Sequence, residues 1–178
     1  SDRPALFSRP TGAGKTALIP LLAWGLGAER VLVITPAVEL RRQTADKVRT
    51  LEALRAGATV PTGVGEPEVA IVENRLSSLD DWERLRAADG VVTTPHCASP
   101  AYESVVEPPG DLFDLMVMDE AHHSGAATWD ELLQALPDAK RILMTATPFR
   151  LDRRRFRTSL VYHYPLGRAI AAGIYDPV

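Results

Sequence analysis

One short segment of the sequence combines the residue types that bind phosphate. The segment SRPTGAGKTA, residues 8–17, contains Gly14, Lys15 and Thr16, which fit the second half of the phosphate-loop pattern G-x-x-x-x-G-K-[ST]. In such a loop, backbone N–H groups surround phosphate oxygens and the start of the following helix adds partial positive charge. Arg9 stands where the pattern has its first glycine. We therefore predict a nucleotide site, with a glycine-rich strand-to-helix turn as the alternative.

The predicted contacts to the nucleotide run through the loop into the start of the next helix. Lys15 is expected to reach the β- and γ-phosphates, and the hydroxyl of Thr16 to bind Mg²⁺. Gly12 and Gly14 allow the backbone to approach the phosphates closely, since neither carries a side chain. The expected contact residues are Thr11, Gly12, Ala13, Gly14, Lys15 and Thr16.

A pair of carboxylates supplies the complementary chemistry. Asp119 and Glu120 directly follow the apolar run Leu115–Met118, which is typical of a buried strand. The carboxyl ends of parallel strands form the edge at which open α/β sheets bind ligands. Asp119 is suited to hold Mg²⁺, and Glu120 to orient or deprotonate an attacking water. The alternative is a solvated turn with two acids.

Alternating apolar runs and helical patterns predict the elements that position these residues. The alternation indicates β-α-β units and a parallel sheet, hence an α/β fold. Strands are predicted at Ala5–Ser8, Arg30–Thr35, Val69–Val72, Gly90–Thr94, Leu115–Asp119 and Arg141–Thr145. Helices are predicted at Thr16–Trp24, Val38–Ala56, Leu79–Ala88, Thr128–Leu136 and Leu166–Ala172. Residues 57–68 and 99–111 are rich in turn formers and are predicted to be surface connections.

The bulk properties are those of one ordinary globular domain. The 178 residues suit a single domain over 1–178, with 46% hydrophobic residues and a net charge of −3. The acidic balance excludes a globally basic nucleic-acid binder, so any such contact must come from a local patch. The single cysteine, Cys97, fits a reducing compartment, and we expect a cytoplasmic protein with no membrane partner.

Five motifs occur along the chain in a fixed order: PTGAGKT (10–16), TPAVELRRQ (35–43), TTPH (93–96), DEAH (119–122) and TATP (145–148). Together they resemble the first motor domain of superfamily 2 helicases of the DEAD/DEAH type. The resemblance covers nearly the whole chain and implies a three-layer RecA-like P-loop NTPase domain with a mostly parallel central sheet, using ATP and Mg²⁺. This family does not require glycine at the position of Arg9.

The resemblance also implies roles for individual residues. His122 would join Lys15, Asp119 and Glu120 as a catalytic residue that links the nucleotide site to the motif TATP. Thr145 and Thr147 would couple hydrolysis to movement. Contacts to the nucleic-acid backbone, which position a strand without reading its sequence, would come from segments that contain Thr35, Arg41, Thr94 and Pro95.

The tail of the sequence indicates which branch of this family the chain resembles. Residues 160–178, LVYHYPLGRAIAAGIYDPV, contain a strand-like VYHY and a short helix, similar to the exit from the first motor domain of restriction-enzyme translocating subunits and DNA repair helicases. We therefore expect DNA as the partner, together with a second RecA-like domain in the full-length protein and a possible nuclease domain or subunit. The isolated fragment is expected to hydrolyse ATP very slowly.

Several alternatives stay open at this stage. The chain could belong to an RNA helicase, or to a P-loop ATPase or switch without a nucleic-acid partner; a small-molecule kinase leaves two motifs unexplained. The arginine-rich segment 150–157 is either a solvated loop or a contact to phosphate or a second domain. Arg9 is expected to add positive charge to the nucleotide site. We predict that Trp24, Trp82 and Trp129 are packing residues rather than base-stacking platforms.

Overall fold

A parallel sheet built from short apolar strands forms the centre of the molecule. The computed structural model describes residues 3–10, 14–61, 63–120, 126–146 and 158–173. In these ranges the strands are β1 (Ala5–Ser8), β2 (Val31–Ile34), β3 (Val69–Ile71), β4 (Gly90–Thr93), β5 (Leu115–Met118), β6 (Lys140–Thr145) and β7 (Ser159–His163). Strands β2, β4 and β5 are buried along their whole length, as their continuous apolar sequences predict.

The order of the strands brings distant segments of the chain together. Within the described residues the sheet has seven strands in the order β3-β4-β2-β5-β6-β1-β7, and every neighbouring pair is parallel. Strand β1 lies between β6 and β7, with Ser8 opposite Thr145. Strand β5 lies between β2 and β6. The predicted parallel α/β sheet is confirmed, and the strand-like tail is its edge strand β7.

The helices connect successive strands and cover both faces of the sheet. They are α1 (Leu18–Gly25), α2 (Val38–Thr50), α3 (Glu52–Ala56), α4 (Leu79–Glu83), α5 (Pro95–Ala98), α6 (Ala126–Ala135) and α7 (Leu166–Ala171). Short 3-10 turns precede α1 at Lys15–Ala17 and follow α4 at Arg84–Ala87. The motif TTPH thus supplies a short helix, α5, that the sequence analysis did not predict.

The long helix predicted over Val38–Ala56 is wrong in one respect, because the chain breaks at Leu51. Leu51 has a left-handed backbone with φ of +53°, which ends α2 and starts α3. Its side chain is nevertheless buried. The helical spacing of leucines continued through the break, so periodicity alone did not reveal it. Burial of the Leu51 side chain offsets the energetic cost of a backbone conformation that non-glycine residues rarely adopt.

Alternate residues of the strands enter two separate apolar clusters. Leu32 and Met116 pack with Trp82, Phe113 and Trp129 on one face. On the other face, α1 and α2 cover residues that include Val31, Val33, Leu115 and Val117. Because successive side chains of a strand point to opposite faces, the sheet is the middle layer of three. The packing role predicted for Trp82 and Trp129 is confirmed, since both are fully buried.

The connection 99–111 is less superficial than its turn-forming sequence predicts. Val105 is buried, and the N–H of Val106 donates to the carbonyl of Leu76 at 2.9 Å. The Val106 carbonyl in turn accepts a hydrogen bond from the indole Nε1 of Trp82 at 2.8 Å. This segment is therefore part of the core around Trp82.

In the described ranges, no helix is long and apolar enough to span a membrane.

Truncation of Trp82 is expected to test this core. Trp82→Ala removes a fully buried ring that meets Phe113 edge-on, and leaves the Val106 carbonyl without its indole donor. We expect a loss of about 3–5 kcal/mol in the free energy of unfolding, measured by urea denaturation. Trp24→Ala is the matched control, since Trp24 is 60% exposed and should change stability by no more than about 0.5 kcal/mol. Equal losses in both variants would contradict this description of the core.

Candidate nucleotide site at the carboxyl edge of the sheet

Three neighbouring strands deliver the candidate site to one edge. Strands β1, β6 and β5 are adjacent and parallel, so the residues that follow them emerge at the same edge. Lys15 follows β1, Glu120 follows β5, and Thr145 ends β6. Residues far apart in sequence therefore share one small region, as the motifs predict for a nucleotide site.

A buried ion pair joins the two motifs. The Nζ of Lys15 donates to Oε1 of Glu120, 105 residues away in the chain. The Lys15 side chain is 7% exposed and that of Glu120 15% exposed. An isolated charge in such a site carries a desolvation cost of several kcal/mol, so each group depends on the other or on a ligand of matching charge.

The backbone on both sides of this ion pair adopts uncommon conformations. Gly14 has φ of +80°, and no atom lies within 4 Å of the position that a Cβ would occupy. A side chain at Gly14 would thus meet backbone strain rather than a steric clash. Glu120 has φ of +50°, which is uncommon for a residue that is not glycine. Strained backbone is characteristic of functional sites and is held in place by surrounding contacts.

Asp119 is positioned as a buried oxygen ligand. It is 7% exposed, its N–H donates to the Ile34 carbonyl at 2.9 Å, and its Oδ1 accepts from the N–H of Glu120 at 3.0 Å. Burial raises the pKa of Asp119, the charge of Lys15 lowers it, and the charge of Glu120 raises it further. Thr16 is half-buried beside Lys15. Hydroxyl and carboxylate oxygens are the ligands that Mg²⁺ prefers, so the chemistry of this pair fits that ion.

Arg9 is tied to the edge strand β7 and to the end of β6. Its N–H donates to the carbonyl of Thr145 at 3.0 Å, and its guanidinium carbon lies 5.5 Å from the ring centroid of Tyr164. The N–H of Tyr164 donates to the carbonyl of Ser8 at 2.9 Å. The Arg9 guanidinium thus forms a cation–π contact with the tail. The sequence motifs did not reveal this contact, because Tyr164 lies far along the chain.

Part of the predicted site falls outside the residues that the structure describes. This applies to Thr11, Gly12 and Ala13 of the phosphate loop, to His122 of the DEAH motif and to Thr147 of the TATP motif. The arginine-rich segment 150–157 also lies outside them. Their assigned roles remain predictions from the motifs.

The predicted nucleic-acid contacts Thr35, Thr94 and Pro95 lie at the same edge, after β2 and β4. All three are buried, and the hydroxyl of Thr35 donates to the Thr93 carbonyl at 3.2 Å. These side chains therefore lie beneath the surface of the edge. The segment after β4 is the short helix α5, in which Cys97 and Ala98 are also buried and only His96 is exposed.

Arg41 lies in a segment predicted to contact nucleic acid, but its guanidinium is turned inward in this structure. Arg41 is 6% exposed, and its Nη1 donates to the carbonyl of Val72 at 2.8 Å. Arg41 therefore joins α2 to the segment that follows β3. Its position in the motif TPAVELRRQ pointed to a ligand contact, but the helix turns this side chain inward while Arg42 stays exposed.

A cluster in which Arg75 and His96 are exposed and Tyr102 is half-buried lies at this edge, and sequence reasoning largely missed it. Arg75 donates to Oγ of Ser104 at 2.6 Å and lies 2.9 Å from Nε2 of His96. The Tyr102 ring meets the His96 ring edge-on at 4.6 Å, and the Arg75 guanidinium lies 5.7 Å from its centroid. Only His96 belongs to a motif; Arg75 and Tyr102 come from two connections that the fold brings together.

The sequence matches one known protein family. A family model described as "Type III restriction enzyme, res subunit" matches residues 1–150, which is most of the chain. The chain belongs to this family. The predicted resemblance to a RecA-like motor domain of superfamily 2 helicases is confirmed. No curated protein matches the sequence.

Solved structures of helicases share this fold. A hypothetical ATP-dependent RNA helicase from Sulfolobus tokodaii matches with a TM-score of 0.62 and 24% identity, over 91% of this chain and 48% of that one. The UvsW helicase from bacteriophage T4 matches at 0.58 and 20% identity, over 90% and 54% of the two chains. The Hef helicase domain from Pyrococcus furiosus matches at 0.59 and 21% identity, over 91% and 35%. The present chain thus spans about half or less of the length of these relatives.

Replacement of Arg41 is expected to lower stability rather than ligand affinity. Arg41→Ala would leave the buried carbonyl of Val72 without its guanidinium donor, which should lower the free energy of unfolding by about 1–3 kcal/mol in urea denaturation. Arg42→Ala, at the exposed neighbour, is the control and should leave stability within about 0.5 kcal/mol. A stable Arg41→Ala variant with reduced nucleic-acid affinity would instead support a nucleic-acid contact at Arg41.

Proposed function

We propose that this chain is the ATP-binding motor domain of an ATP-dependent DNA helicase or translocase, which couples ATP hydrolysis to movement on DNA. The observation that carries the proposal is the buried pairing of Lys15 with Glu120 beside Asp119, at the carboxyl edge of a parallel sheet. Family membership supports a helicase-type nucleotide hydrolase in general. The assignment of individual residues to steps rests on their chemistry and position.

The ion pair suggests how nucleotide binding prepares the site. The terminal phosphates of ATP carry the negative charge that Lys15 requires, so phosphate can replace Glu120 as its partner. Glu120 then becomes available to orient and deprotonate the attacking water. Thr16 and Asp119 would hold Mg²⁺, which supplies neutralisation of phosphate charge. Lys15 thus changes partner from carboxylate to phosphate, and its charge remains compensated in both states.

Thr145 is placed to connect this event to the rest of the domain. Its carbonyl accepts the N–H of Arg9 at the start of the phosphate loop, and its position at the end of β6 lies between β5 and β1. A shift of the loop on nucleotide binding would therefore be transmitted to the TATP segment. We propose Thr145, with Thr147 and His122, as the coupling path toward a second RecA-like domain.

The assignment of DNA rather than RNA as the partner rests on sequence features. The DEAHH segment and the tail around Tyr164 are similar to those of DNA translocases of restriction systems, and the matched family is described by a restriction enzyme subunit. An RNA helicase is the alternative, since a relative of the same fold is described as one. A nuclease domain or subunit in the same assembly and a cytoplasmic location are parts of this proposal. A nucleotide switch without nucleic acid is favoured only by the net charge of −3.

Nucleic-acid stimulation of ATP hydrolysis tests the proposal. In the full-length protein we expect ATP turnover to rise on addition of single- or double-stranded DNA, and less with RNA. Glu120→Gln should lower turnover by about 10²–10⁴-fold while ATP binding is retained, because it removes a general base. Lys15→Ala should weaken ATP binding itself. Glu131→Gln, at an exposed position on α6, is the matched control.

The outcomes separate the candidate functions. A rate that is indifferent to DNA and RNA would favour the switch, and stimulation by RNA alone would favour the RNA helicase. Full turnover in Glu120→Gln would contradict the assignment of the base.

The cluster of Arg75, His96 and Tyr102 is expected to contact the nucleic-acid backbone. Its guanidinium can bind phosphate, and its tyrosine ring can stack on a base or sugar. We expect Arg75→Ala and Tyr102→Ala each to weaken DNA binding by about 10-fold in fluorescence anisotropy, which is about 1.4 kcal/mol. Arg84→Ala is the control, since Arg84 is exposed and pairs with Asp81 away from this edge. Equal effects at Arg75 and Arg84 would indicate non-specific charge attraction only.

A further inference from the structure

A large apolar cavity opens at the edge of the sheet opposite the nucleotide site. Its volume is about 430 Å³, within the range of ligand pockets in proteins. The floor is formed at the starts of β2 and β4 by Val31 and Gly90, whereas Lys15 and Glu120 lie beyond the opposite ends of the strands. The cavity is therefore separate from the site described above.

The walls of the cavity are apolar and come from three parts of the chain. Ile19 and Ala23 of α1 form one side, Val48 and Leu54 of α2 and α3 form another, and Val60 lies on the connection that closes it. Entry of an apolar group into such a cavity is favourable, because the group leaves water. Apolar walls alone, however, do not identify the occupant.

The apolar surface continues outside the mouth of the cavity. Trp24 and Val64, which line the cavity, are 60% and 43% exposed. Unlike Trp82 and Trp129, Trp24 is not buried in the core, and its ring lies at the rim of the cavity. An exposed tryptophan beside further apolar side chains is typical of protein-binding surfaces. A ligand that only filled the cavity would leave this rim in water.

The charged residues that line the cavity are all acidic: Glu29, Glu66 and Asp89. The Asp89 carboxylate accepts the N–H of Glu68 at 2.8 Å. Glu29 and Glu66 are exposed, and neither forms an ion pair with any residue in the described part of the chain. Two cations lie near the same rim, but each is held by the chain itself: Arg55 donates to the carbonyl of Val64 at 2.9 Å, and Lys140 donates to that of Leu26 at 2.9 Å. The carboxylates of Glu29 and Glu66 are thus the charges that stay available to a cationic partner.

We propose that this edge is a docking site for a partner polypeptide segment that inserts large apolar side chains into the cavity and places lysine or arginine against Glu29 and Glu66. The two unpaired carboxylates favour a cationic segment over an acidic one, since opposite charges across an interface attract. A partner bound here leaves the carboxyl edge free for nucleotide and nucleic acid.

Two labelled peptides of matched apolar content test the proposal on the full-length protein. One combines leucine and tryptophan with lysine, and the other carries glutamate in place of each lysine. We expect the lysine peptide to bind with a Kd of about 10 µM in fluorescence anisotropy, and the glutamate peptide at least about 10-fold more weakly. Binding should be unaffected by ATP or DNA, since they occupy the other edge.

Variants on the protein separate specific docking from general attraction. Trp24→Ala and the double variant Glu29→Lys with Glu66→Lys should each weaken binding of the lysine peptide at least about 10-fold. Leu79→Ala and Glu131→Lys are the matched controls, because both residues are exposed at other places, and should leave the affinity unchanged. All four variants should keep their DNA-stimulated ATPase activity.

Four results would overturn the inference. The first is failure of the lysine peptide to bind, and the second is equal binding of both peptides. The third is loss of affinity that is no greater in Trp24→Ala and the Glu29–Glu66 variant than in the controls. Concentration-dependent dimerisation that Trp24→Ala abolishes would assign the cavity to a second copy and would also overturn it. None of these results bears on the ATPase test, so the two proposals fail separately.

Discussion

The buried ion pair between Lys15 and Glu120 is the interaction on which the candidate site depends. It brings together two loops that leave strands β1 and β5, which are separated in the sheet only by β6. Neither charge can remain buried alone at low cost, so the pair requires both loops to be correctly placed. The parallel arrangement of the strands provides this, because it directs all three carboxyl ends to one edge. Nucleotide phosphate can then take the place of one partner.

The same sheet separates the two functions that we propose. Loops at the carboxyl edge carry the nucleotide site and, after β3 and β4, the cluster of Arg75, His96 and Tyr102. The amino edge carries the apolar cavity with the exposed carboxylates of Glu29 and Glu66. Helix α1 extends from the turn that contains Lys15 to Trp24 beside the cavity and so connects both edges. A partner docked at one edge would leave the chemistry at the other accessible.

Most of the fold was predictable because its strands are local and strongly patterned. The sequence alone predicts three of these strands, from the apolar runs of β2 and β5 and the segment ALFS of β1. The break at Leu51, the short helix α5 and the burial of Val105 were not predicted. In each case the packing of a side chain against the core determines the local backbone conformation. Helix propensity and turn composition contain no information about that contact.

By itself, the sequence determined the chemistry of the site: a phosphate loop ending in Lys15 and Thr16, and two carboxylates that follow an apolar strand. Residue type and spacing suffice there, because backbone geometry directs these groups to one edge. Only the tertiary structure decided which similar side chains are available to partners. It buries Arg41 and exposes Arg75, and it buries Trp82 and exposes Trp24. The physical reason is that burial depends on what packs against a residue from distant parts of the chain, and its neighbours in sequence do not contain that information.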